Sequence, residues 1–135
     1  MNNTEQWIKW TPNKALERKY SKKDLILDMS FRILAEDELK QTQNMQINFE
    51  EGVSIFRVTD IAYCSSVLEY IDKVYGDNFH NQWTFFKVIN SEYIKWLHAE
   101  SFEVVDLNTN HYAFVFTNCI VDVIECSEPE IKLIK

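Results

Sequence analysis

Glycine and proline are scarce in this chain, with two of each among 135 residues. The glycines, Gly52 and Gly76, stand far apart in the sequence. Phosphate-cradling loops need several glycines close together, so that backbone N–H groups can approach the phosphates. A P-loop, a dinucleotide fingerprint and a kinase-type glycine lid are therefore excluded. Long apolar runs are also missing, so we expect no membrane span. The chain starts Met-Asn-Asn-Thr-Glu-Gln, without the apolar stretch of a secretory signal. Its three cysteines, Cys64, Cys119 and Cys126, are an odd number without framework spacing, which predicts a reducing, cytoplasmic setting. Arginine is rare: lysine outnumbers it 11 to 3, the bias of an AT-rich bacterial genome. No C-x-x-C, H-x-x-x-H, Gly-x-Ser-x-Gly or EF-hand pattern occurs, and no cofactor is expected.

What is present fits one globular domain. Hydrophobic residues make up 46% and charged residues 26%. At this mass roughly two thirds of the unfolded surface is buried on folding, enough for a single core. We therefore read residues 1–135 as one domain, with 1–20 an N-terminal segment and short helix packing on it. The net charge of −7 is uneven. Residues 1–40 hold 8 bases and 7 acids, whereas 41–135 hold 6 bases and 14 acids. Lys14, Arg18, Lys19, Lys22 and Lys23 form a local basic cluster, read as a solvated helix end. The acidic remainder opposes nucleic acid, and a cationic partner suits it better.

Patterning predicts an α+β domain, a mostly antiparallel sheet with two to three helices packed on it. Thr11-Pro12 caps a short helix running to about Tyr20. Leu25, Leu27, Met29, Phe31 and Ile33 alternate with Asp28, Ser30 and Arg32, which predicts a half-buried strand. Met45, Ile47 and Phe49 alternate likewise, and Gly52 turns the chain into Val53–Val58 as a hairpin. Ser66 and Glu69 have the spacing of a capping box before an amphipathic helix ending at Gly76. A strand at Trp83–Val88 precedes the cap Asn90-Ser91 and a helix over Glu92–Ser101. His111–Thr117 and Ile120–Cys126 form a second hairpin about Asn118-Cys119. Pro129 breaks the chain before a short run, Ile131–Ile134.

In that hairpin register His111 faces Cys126, and Tyr112, Phe114 and Phe116 share the core face with Val121 and Val123. Imidazole beside thiol offers half a zinc site or a nucleophile with its base. Neither is complete, so His111 is read as a structural histidine and no metal is expected. Nineteen residues are aromatic. Trp7 and Trp10 lie in the polar N-terminal segment, either covering the core or anchoring a partner. Tyr93 and Trp96 on the late helix are a second candidate anchor.

Three functions remain in order. The first is a non-catalytic module that binds another protein, a basic one by charge complementarity. In size, charge and fold class the chain is similar to the small acidic immunity proteins that neutralise bacterial toxins, a likeness that no motif carries. The second is a small-molecule binder with a pocket between sheet and helices, where Asp28, Ser30 and Arg32 would supply the polar groups. The third is a hydrolase-like enzyme using His111 and Cys126. Nucleic acid and membrane are not expected partners, and a homodimer stays open.

Overall fold

A computed structural model describes residues 4–10, 19–26, 32–37, 44–49 and 52–134, with backbone alone at 20–26, 32–37, 44–45 and 132–134. Strand β1 (Gln6–Lys9) is followed by β2 (Tyr20–Ile26), β3 (Arg32–Asp37), β4 (Asn44–Asn48) and β5 (Ile55–Asp60). Helix α1 (Ser65–Tyr75), β6 (Phe85–Ile89) and helix α2 (Glu92–Glu100) come next. The chain then runs through β7 (Asn110–Val115), β8 (Cys119–Glu125) and β9 (Glu130–Ile134). A five-stranded sheet has the order β1-β6-β7-β8-β5, and a four-stranded sheet the order β2-β3-β4-β9. Each described pairing is antiparallel, so the domain is α+β as the patterning predicts.

Alternation splits the five-stranded sheet into two faces. One face carries Phe85, Tyr112, Phe114, Val121 and Val123, all fully buried. Phe49, just past β4, lies on this face with ring centroids 5.9 Å from Tyr112 and 6.5 Å from Phe114. Ile47 of β4 joins the same core, so the second sheet covers this side. Burial pushes the Tyr112 phenol up to about 12. The other face carries Trp7, Phe86, His111, Ala113 and Asp122. The helices cover it, with Tyr75 of α1 against Phe86 and Tyr93 of α2 against His111. The result is helices, sheet and sheet in three layers. Losing one central ring, as in Phe114→Ala, would cost about 3–5 kcal/mol.

The structure corrects several expectations. Leu25–Ile33 is not one strand: β2 and β3 fold back on each other, with Leu25 opposite Ile33. Residue numbers across that part of the ladder sum to an even value, so a hairpin preserves the same odd–even alternation as a straight strand. Met45–Phe49 and Val53–Val58 do not pair; β4 joins β3 and β9, while β5 joins β8. Gly52 still turns the chain, at φ +81° with its N–H on the Phe49 carbonyl, but it links two sheets. Helix α1 starts at Ser65, two residues early, and its N-cap position, Cys64, makes no side-chain cap bond, so no capping box forms. The helix called from Thr11 falls on 11–18, outside the described residues, and Tyr20 already belongs to β2.

The C-terminal hairpin is shifted by one residue. Its loop is Thr117-Asn118, closed by the Phe116 N–H on the Cys119 carbonyl at 2.8 Å. His111 therefore stands opposite Ile124 rather than Cys126. The faces are unchanged, because the paired numbers keep their odd sum. Within the basic cluster, Lys19 is buried with its ammonium on the carbonyls of Val115 and His80, so it serves the core.

Candidate functional site

Helix α2 is placed by a polar relay. Strand β6 ends at Ile89, Asn90 adopts φ +55°, and Ser91 begins the helix as its N-cap. The Ser91 hydroxyl oxygen accepts the Ile94 N–H at 3.1 Å, the cap the sequence predicts. That leaves its proton for His111 Nδ1, 2.7 Å away. His111 Nε2 lies 2.7 Å from Asp122 Oδ1, and the other Asp122 oxygen takes Nε and a terminal nitrogen of Arg57, each at 3.1 Å. The tautomer follows from the partners. Asp122, paired with Arg57, can only accept, so Nε2 carries the proton and the Nδ1 lone pair faces Ser91. Ser91, His111 and Asp122 are all buried, and Arg57 is half-exposed at the sheet edge.

A cavity of about 580 Å³ opens over this relay. Ser91 and His111 line it, with Ile89, Ile94 and Leu107 as apolar walls and Lys87 among the polar residues. It sits at the ends of β6 and β7. Asp28 and Ser30 lie outside the described residues, and Arg32 opens β3 opposite Asn48.

Beyond the C-terminal end of α2 the chain makes a tight loop that displays apolar side chains. Phe102 and Glu103 both have positive φ, +52° and +71°. Bonds hold them there: the Glu103 N–H meets the His98 carbonyl at 2.7 Å, and the Ser101 hydroxyl takes the Val105 N–H at 3.0 Å. His98 Nδ1 donates to the Val105 carbonyl at 2.7 Å. Phe102 is 92% exposed and Val104 83% exposed, and Leu107 is also exposed. Glu100, Glu103 and Asp106, all exposed, stand among them. No lysine or arginine occurs between Lys95 and Lys132.

No family model, curated protein or solved structure matches the chain. The site therefore rests on its own geometry. Among the described residues no three His, Cys, Asp or Glu side chains gather as metal ligands, and none of their helices is long and apolar enough to cross a membrane.

The anchors proposed from sequence separate. Trp7 is buried, edge-on to Phe86 and His111, and Trp10 is half-buried against Tyr112 and Phe85. Both cover core. Tyr93 and Trp96 stack at 15° between planes, with the Arg57 guanidinium 4.1 Å from the Tyr93 centroid. Tyr93 is half-buried, while Trp96 is 57% exposed. Cys126 is exposed and does not join His111, whose two nitrogens are both engaged. Sequence reasoning missed Ser91 as a partner of His111, since a lone serine before a helix reads as a cap. It also passed over Phe102, although Phe102–Leu107 is an apolar-rich run outside any predicted element.

Proposed function

We propose that this chain is a binding module, immunity- or regulator-like, that docks a basic protein through the loop after α2. The observation that carries this reading is Phe102, almost fully exposed on a bonded loop with two successive left-handed residues. A non-glycine residue in that region costs about 1–2 kcal/mol, and such strain persists where the surroundings hold it for a purpose. Exposed aromatics are the usual anchors of protein interfaces. Glu100, Glu103 and Asp106 around the anchor favour a cationic partner, as does the net charge of −7. Trp96, on the exposed side of α2, would extend the contact. We place the module in the cytoplasm, on the strength of its three free cysteines.

The test is capture from an extract of the source cell, with wild type and Phe102→Asp/Val104→Asp as paired baits. A basic protein held by wild type, lost with the variant and released as salt rises to about 0.5 M supports the reading. Equal retention by both baits contradicts it.

A further inference from the structure

The relay under the cavity uses three side chains that in combination activate a hydroxyl, and docking at Phe102 makes no use of them. We propose that Ser91 is an acyl-accepting nucleophile with His111 as its base, acting on small carboxylic esters that enter the cavity at the ends of β6 and β7. The geometry is that of an activated serine: the Ser91 oxygen 2.7 Å from Nδ1, and Nε2 2.7 Å from the Asp122 carboxylate. The orienting carboxylate is itself fixed by Arg57 from the other side. An alternative need for the pair is only partly met by capping, because the cap uses the Ser91 lone pair and not its proton. Ser91 and His111, both buried, are among the residues that line the cavity, the side from which an ester would approach.

The chemistry balances with water as the only co-reactant. Ser91 Oγ attacks the ester carbonyl, and its proton passes to Nδ1 of His111. The C–O bond to the alcohol breaks, and the alcohol leaves with that proton, giving acyl-Ser91. Water then loses a proton to Nδ1 and attacks the acyl carbon. The carboxylic acid departs and the proton returns to Ser91. At the start of α2 the Glu92 N–H meets Glu5 Oε1 at 3.3 Å and the Ile94 N–H meets the Ser91 oxygen at 3.1 Å, so an oxyanion would use either donor only by displacing its present acceptor. Ile94 and Leu107 offer apolar contact for a short acyl chain.

The test uses the whole chain, a fluorophosphonate probe and p-nitrophenyl butyrate. The probe loses fluoride as Ser91 Oγ bonds to phosphorus, and peptide mass spectrometry locates the adduct. Ser91→Asn removes the nucleophile and keeps an N-cap acceptor, and Asp122→Asn keeps the shape of the relay; thermal melts confirm that each is folded. An adduct on Ser91 of folded wild type, absent after heat denaturation and slowed about 10-fold or more in Asp122→Asn, supports the proposal, as does ester hydrolysis lost in Ser91→Asn. Folded wild type with Ser91 unlabelled overturns it, and so does hydrolysis that persists in Ser91→Asn.

Discussion

Asp122 stands between His111 and Arg57, one carboxylate oxygen on each, with only 3% of its side chain exposed. Its Arg57 partner reaches it from the edge strand β5 across the β5–β8 register, where the two residues are directly opposed. Removing the carboxylate strands a buried imidazole N–H. Asp122→Ala should therefore destabilise the fold by about 2–4 kcal/mol, while Ser91→Ala, losing a cap, should cost about 1 kcal/mol. Urea melts distinguish them, and an Asp122→Ala loss below about 0.5 kcal/mol would show that the relay does not hold α2 to the sheet.

Strain in the displayed loop has a separate signature. Glu103 sits at φ +71° with its side chain exposed, so glycine can take its place without losing packing. Glu103→Gly should raise stability by about 0.5–1 kcal/mol, because the left-handed cost falls by more than the added chain entropy. A clear loss of stability in the melt would mean that the loop is not strained there.

Acid sensitivity should concentrate at Asp72. Burial works to raise its carboxyl, but hydrogen bonds from the His80 N–H and ring outweigh that and hold it below the usual value. A carboxyl lowered by folding contributes stability above its unfolded pKa and loses it as pH falls through the folded one. Asp72→Asn should thus cost about 1 kcal/mol at neutral pH, and its deficit against wild type should shrink on the acid side. A deficit that stays constant with pH would remove the linkage.

The three cysteines should react in a fixed order. Cys126 is exposed, whereas Cys64 and Cys119 are buried. Burial and the Asp122 charge push the Cys64 thiol up, and its S–H also donates to the Asp60 carbonyl at 3.4 Å. Under native conditions iodoacetamide should modify Cys126 first, with Cys64 and Cys119 following only on unfolding. Early modification of Cys64, read by peptide mass, would contradict its placement.

Much of this was legible in the residues. The Ser91 cap, the helix behind it and the split of the C-terminal hairpin into a core face and a mixed face follow from local pattern alone. Tyr112, Phe114, Val121 and Val123 share the core face as the pattern predicts, although His111 meets Ile124 rather than Cys126, since a partner shift of two residues preserves parity. What pattern cannot carry is the third dimension. Alternation through Leu25–Ile33 is the same for a strand and for an even-sum hairpin, and adjacency in sequence does not show that β4 and β5 belong to different sheets. Ser91 meets His111 only because α2 lies over the mixed face, a packing fact with no local signature.

The most direct measurement is the affinity of the captured partner for wild type and for Phe102→Ala, by titration calorimetry at low salt. Phe102 is 92% exposed, so its truncation should leave the melting temperature unchanged. Docking through this anchor predicts a loss of about 2–3 kcal/mol, roughly a 30- to 150-fold rise in Kd. A Kd within about threefold of wild type, with the fold intact, would show that the partner binds elsewhere.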